Sequence, residues 1–136
     1  MEYVLQTAAL QKSYGQYRAL NGLTMNVPKG AIYGFVGKNG AGKTTLIRLI
    51  CGLQEQTAGE YSIYGISGRS KEIVKARRRM GAVVETPSIY LNMTAEENLK
   101  EQYCVLGLPA FAGIGGILEL VGLQHTGRKR AKHFSL

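Results

Sequence analysis

Aspartate is missing from this chain: all nine of its acidic residues are glutamates. No mechanism that draws an aspartate metal ligand or base from these residues is open to it. Cysteine is scarce too. Cys51 and Cys104 are the only two, each in an apolar stretch, which is poor material for a disulfide framework and suits a reducing compartment. The N-terminus, MEYVLQTA, has an acid at its second position and no apolar core, and no signal peptide is expected there. Gln102 to Leu118 runs for 17 residues without a charge, just short of a spanning helix. Pro109 and the glycines at 107, 113, 115 and 116 interrupt it, and a membrane span is not expected. What remains is 45% hydrophobic and 19% charged over 136 residues, enough for the core of one ordinary domain and not for two.

Acid of any kind is outnumbered, with 17 Lys and Arg against nine Glu and a net charge of +8. The excess gathers at Arg77-Arg78-Arg79 and at Arg128-Lys129-Arg130 with Lys132. Such runs serve as solvated faces or as contacts for an anionic partner. The interleaving of aromatic and basic residues that single-strand binding needs is absent from both, so nucleic acid is not an expected partner.

Hydrophobic periodicity places the elements. Val4 to Leu10 is a strand pattern, followed by a polar turn through Lys12-Ser13-Tyr14-Gly15. Tyr17 to Leu20 and Leu23 to Val27 are short strand patterns around Asn21-Gly22, a hairpin signal. Ala31 to Val36 is continuously apolar, as a strand buried on both faces is. Leu46, Leu49, Ile50 and Leu53 then recur at helical spacing up to Gly52. Tyr61 to Tyr64 predicts a strand, Ile73, Ala76 and Met80 a short basic helix, and Ala82 to Val84 a short buried strand. Thr94-Ala-Glu-Glu97 is a capping box, with Ala95, Leu99, Tyr103 and Leu106 as the apolar face behind it. Phe111, Ile114, Leu118 and Val121 make a glycine-weakened second helix. Strands first, then strand–loop–helix, indicates an α/β fold.

The chemistry concentrates in Gly37-Lys38-Asn39-Gly40-Ala41-Gly42-Lys43-Thr44, which matches the phosphate-loop pattern of Gly, four residues, Gly-Lys-Thr. A polyphosphate needs several N–H donors converging on it, and glycines let the backbone curl into a nest without a side chain in the way. The helix that follows aims its free amides and the positive end of its dipole at the same point. Lys43 adds a full charge that reaches the β- and γ-phosphates, Thr44 offers a hydroxyl to Mg²⁺, and Thr45 is a further phosphate contact. The match falls between a buried-strand pattern and a helical one, where this mechanism requires it.

Extended to Gly-Lys-Asn-Gly-Ala-Gly-Lys-Thr-Thr, the loop resembles that of the ATP-binding subunits of ABC transporters. Lys12-Ser13-Tyr14-Gly15 with Ala19-Leu20 resembles the segment whose aromatic stacks on adenine in that family, a role that falls on Tyr14. Met80 to Pro87 resembles the strand and loop carrying a glutamine that reaches Mg²⁺ and the γ-phosphate region. Glu85 stands there instead, a departure shared by the exporters of bacitracin and lantibiotic peptides, and Tyr90 to Leu99 resembles the same branch. Ala131 to Leu136 is similar to the run-in to the signature motif, with Ser135 as its serine.

The resemblance implies a P-loop NTPase core with an N-terminal antiparallel β subdomain and the start of a helical subdomain. The expected division is 1–85 for the β subdomain and core and 86–136 for the partial helical part. It implies ATP and Mg²⁺ as cofactors, held by Tyr14, Gly37, Asn39, Gly40, Ala41, Gly42, Lys43, Thr44 and Thr45. Thr44 and Glu85 would serve the metal, and Glu85 would be the catalytic side chain of this stretch. Implied partners are a membrane-spanning subunit and a second nucleotide-binding subunit, at the cytoplasmic face of the membrane. The family's magnesium-holding aspartate, water-polarising glutamate and later histidine are not among the 136 residues. These residues are therefore expected to bind nucleotide without turnover, hydrolysis driving export in a full-length protein. A regulatory module that binds and never hydrolyses, and a small phosphate-loop kinase with Glu85 as base, are the alternatives. Exposure of Ile114 or Ile117 would favour a face that docks on the membrane subunit.

Overall fold

The computed structural model describes residues 2–134, so Ser135 lies outside the described residues. The chain forms two compact units, one ending at Thr86 and the other beginning at Pro87.

The first unit is built on a long hairpin of β1 (Tyr3–Tyr14) and β2 (Tyr17–Pro28), joined by the two-residue turn Gly15-Gln16. β3 (Ala58–Ile63) pairs antiparallel with β1, and β4 (Ile66–Ser67) with β3, giving the order β2-β1-β3-β4. Two helices belong to this unit, α1 (Lys43–Cys51) and α2 (Ile73–Arg77). Leu46 and Leu49 of α1 and Ile73 and Ala76 of α2 join Leu10, Leu20, Met25, Tyr61 and Ile63 of the sheet in one apolar core. Thr7 is the buried polar residue of the sheet. Its hydroxyl donates to the Leu23 carbonyl at 2.9 Å and accepts from the Met25 amide at 3.0 Å, so its burial leaves nothing unpaired.

Four expectations need correction. Asn21-Gly22 is not a hairpin turn: β2 runs straight through it. The register steps from Leu10 opposite Leu23 to Gln11 opposite Asn21, leaving Gly22 as an extra residue at φ 74°. The dipeptide chemistry that closes a turn also builds a bulge, because both need a residue at positive φ. β1 likewise continues to Tyr14, past the expected polar turn.

The other two corrections concern the apolar runs. Ala31 to Val36 and Ala82 to Val84 belong to no strand, and Ile32 and Val36 are fully exposed. A strand that is apolar on both faces gains stability only between flanking strands and covering helices. Among the described residues nothing pairs with either run. The helical expectations fare better: α1 ends at Gly52, whose amide bonds back to the Leu49 carbonyl at 3.0 Å, and the basic helix appears as α2.

The second unit holds α3 (Ala95–Leu106) and α4 (Ile114–Leu120), followed by a 3₁₀ turn at Ala131–His133. The capping box is formed in full. The Thr94 hydroxyl accepts from the Glu97 amide at 3.2 Å, and the Glu97 carboxylate accepts from the Thr94 amide at 2.8 Å. Those bonds hold the Glu97 carboxyl below its usual range. Arg130 to Lys132 returns to the start of this helix, where the Ala131 amide donates to the Met93 carbonyl at 2.8 Å. Of the expected apolar face of α3 only Ala95 is buried, and Leu106 is exposed. Phe111 and Val121 fall outside α4 and are also exposed, while Ile114 is buried and Ile117 sits at the margin of exposure. The uncharged run from Gln102 is broken at Gly107, and no helix among the described residues is long and apolar enough to cross a membrane.

Candidate nucleotide site

Gly42 is the key to the loop's shape. It precedes the first turn of α1 at φ 88°, and a Cβ built on it would lie 2.3 Å from the Ala19 carbonyl oxygen and 2.8 Å from a Leu20 methyl. A glycine therefore lets the loop lie against β2 while the first helical bond, from the Leu46 amide to the Gly42 carbonyl, closes at 2.9 Å. The free amides at the start of α1 are thereby presented to the space above Lys43 and Thr44. No acidic side chain sits in that first turn to compete for them.

Lys43 folds back over the loop, where its ammonium donates to the Lys38 carbonyl at 2.7 Å and to the Gly37 carbonyl. That grip fixes the start of the loop around the lysine. It also holds the charge over the nest, where a phosphate oxygen can share it. Gly37 thus acts through its carbonyl. The Ala41 amide donates to the Lys38 carbonyl at 3.1 Å, and a Cβ built on Gly37 would lie 3.0 Å from the Ala41 methyl.

The hairpin brings the aromatic wall. Tyr14 and Tyr17 are direct partners across the Gly15-Gln16 turn, so their side chains leave the same face of the ribbon. Together with Asn39, Gly40, Gly42, Lys43, Thr44 and Thr45 they line a cavity of about 270 Å³. The Tyr14 hydroxyl donates to Gln54 Oε1, and the Lys12 ammonium stands 5.1 Å from its ring centroid. The Tyr17 hydroxyl donates to the Gly40 carbonyl at 3.1 Å. Sequence reasoning missed Tyr17. The usable signal was its place three residues after Tyr14 across a two-residue turn, which puts both rings on one face.

Glu85 is not in the wall of that cavity. It lies at φ 66°, and its carboxylate pairs with the Arg48 guanidinium at 3.2 Å. Arg48 follows Thr44 by four residues on α1, so the two side chains leave the same face of the helix. A hydroxyl and a carboxylate are hard oxygen donors, the kind Mg²⁺ takes alongside its waters and substrate phosphates. No cluster of three or more His, Cys or Glu that could hold a metal ion forms among the described residues. His125 and His133, both in the second unit, are exposed.

A larger depression of about 550 Å³ lies beside Gln54, Tyr61, Arg69 and Arg77. It has no amide nest. Its most enclosed cation, Arg77, is already spent on the Ile50 carbonyl at 3.0 Å and on the Tyr61 hydroxyl, closing the C-terminal end of α1.

A phosphate loop opening a helix, with an aromatic hairpin over it, is shared by more than one nucleotide-binding lineage, and comparison with known proteins decides between them. The ABC transporter family model matches residues 20–136. The chain belongs to that family. It is 43% identical over its whole length to the Bacillus licheniformis bacitracin transport ATP-binding protein BcrA, covering 44% of that protein. It is 35% identical to the Streptococcus pyogenes lantibiotic transport ATP-binding protein SrtF, over 98% of this chain and 56% of that one. Among solved structures, an ATP-binding subunit of an ABC transporter superposes with a TM-score of 0.77 at 30% identity, over 97% of this chain and 56% of its own. Clostridium perfringens cbiO1, part of the transporter complex cbiONQ, gives a TM-score of 0.80 at 24% identity, over 99% of this chain and 57% of its own, and so shares the fold. The chain spans about half the length of the relatives it matches. Its α/β fold is that of the N-terminal part of the ABC ATPase domain.

Proposed function

We propose that this chain binds ATP with Mg²⁺ in the cavity between the Tyr14–Tyr17 hairpin and the start of α1. In the whole protein, hydrolysis of that ATP would drive export through a membrane-spanning partner. The observation that carries the reading is the convergence of Tyr14, Gly40, Gly42, Lys43 and Thr44 on one cavity. Adenine would stack on the Tyr14 ring, whose π face accepts a base whatever its hydrogen-bonding edge. The triphosphate would run toward the amides of Gly40 to Thr45, Lys43 holding its β- and γ-oxygens. Bound with the nucleotide, Mg²⁺ would neutralise phosphate charge, held from the protein side by Thr44 and Glu85. Phosphoryl transfer depends mainly on positioning and charge stabilisation, and these residues supply the cradle.

The substrate class follows the relatives. BcrA is a bacitracin transporter subunit and SrtF a lantibiotic one, and Glu85 stands in this chain where that branch departs from glutamine. A peptide antibiotic is the proposed cargo. A second copy of the nucleotide-binding subunit and a membrane subunit are the proposed partners, at the cytoplasmic face. Ile117 at the surface of α4 supports a docking role for the second unit.

Titration calorimetry of the chain with ATP in magnesium tests the reading. Saturable one-to-one binding is expected, lost on Lys43→Ala, with negligible phosphate release by these 136 residues alone. Absence of binding, or binding indifferent to Lys43, would overturn it.

A further inference from the structure

Glu85 carries two features that a solvated loop carboxylate does not need. The first is its backbone. The Thr86 amide donates to the Val84 carbonyl at 2.9 Å, closing a three-residue turn around Glu85 at φ 66°. This is the strained hand of the γ-turn, uncommon for a residue with a Cβ. The second is its partner: the carboxylate meets Arg48 at 3.2 Å across 37 residues of sequence. Arg48 in turn lies one turn beyond Thr44 on the same helix, with about 5–6 Å between the two Cβ atoms.

We propose that Arg48 is a positioning residue for Glu85, holding its carboxylate against the face of α1 that carries Thr44 and neutralising it until a metal–nucleotide complex binds. The inference rests on the nucleotide site proposed above. Unpaired, Glu85 would set a bare negative charge on the side of α1 that carries Arg48 and Thr44, and repel metal-free nucleotide. Paired, its charge is offset by a guanidinium. An ion pair this exposed to solvent is weak, weak enough to be exchanged when a divalent cation offers the carboxylate a stronger partner. A tight, buried pair could not be traded in this way.

The readout is the ratio of ATP dissociation constants in EDTA and in MgCl₂, measured with a fluorescent nucleotide on the chain. Unit charges one helical turn apart at an exposed site interact by about 1 kcal/mol, a factor of about five. Arg48→Gln is expected to raise the ratio about fivefold, chiefly by weakening binding in EDTA. Glu85→Gln is expected to lower it, and Arg48→Lys to keep it near the unsubstituted value. In a Glu85→Gln background, Arg48→Gln should change nothing, because Arg48 acts through Glu85.

An unchanged ratio in Arg48→Gln, with normal binding by the unsubstituted chain, would overturn the inference and leave the nucleotide site standing. An equal rise in both backgrounds would also overturn it, since Arg48 would then act directly on the phosphates. No binding by the unsubstituted chain would remove the site and the inference together. Circular dichroism confirms folding of each variant. If Arg48→Gln unfolds, Glu85→Gln tests the pair from the loop side, and a ratio that does not fall sinks the proposal.

Discussion

Gly42→Ala puts the geometry of the loop to its hardest test. Two costs act at this position. The backbone is left-handed at φ 88°, which costs a non-glycine residue about 1–2 kcal/mol. The new methyl would also stand 2.3 Å from the Ala19 carbonyl oxygen, an atom of the sheet backbone that cannot rotate away. Relieving that collision requires the loop to lift from β2, which breaks the approach that aims the first amides of α1. Gly30→Ala is the matched control. It shares a positive φ, 75°, but nothing lies within 4 Å of its would-be Cβ, and it is outside the cavity. The control isolates the backbone cost, about 1 kcal/mol in urea unfolding. Gly42→Ala is expected to lose at least about 2 kcal/mol and more than tenfold in ATP affinity, because the collision adds to the backbone term. Equal stability losses in the two variants, with ATP binding intact in Gly42→Ala, would refute the argument that contact with Ala19 shapes the loop.

Tyr17→Phe removes the bond to the Gly40 carbonyl and keeps the ring, so it should weaken ATP binding about three- to tenfold, the effect of one hydrogen bond. Adenosine, which lacks phosphates, should bind unchanged in the same titration. Glu97 is more acidic in the folded chain because the Thr94 bonds favour its carboxylate. Its stabilisation of α3 is therefore present above its unfolded pKa and lost as pH falls through the folded, lower one. Far-ultraviolet dichroism should show helicity falling below the ordinary carboxylate range, with a smaller fall in Glu97→Gln. Burial raises the Cys51 thiol, partly opposed by Arg77, while Cys104 is exposed. Alkylation near pH 8 read by mass spectrometry should modify Cys104 well before Cys51.

The sequence made different parts of the molecule legible to different degrees. The phosphate loop was readable because its chemistry is a backbone requirement: the nest needs Gly42 at positive φ, and that need shows in the local pattern alone. The capping box at Thr94 was readable for the same reason, since both its bonds are local. Asn21-Gly22 misled because positive φ serves a bulge as well as a turn, and the choice depends on how β1 registers against β2. Ala31 to Val36 has the composition of a doubly buried strand, but burial is a property of neighbours, and the described residues supply none. The pairing of Arg48 with Glu85 was invisible for that reason as well. Neither residue's local pattern points to the other.

Amide chemical-shift mapping of the chain with Mg-ATP tests the central claim most directly. The account predicts that the largest changes fall on Gly40, Ala41, Gly42, Lys43 and Thr44, with ring-current shifts around Tyr14 and Tyr17. Changes centred instead on Gln54, Arg69 and Arg77, or none at saturating nucleotide, would contradict it.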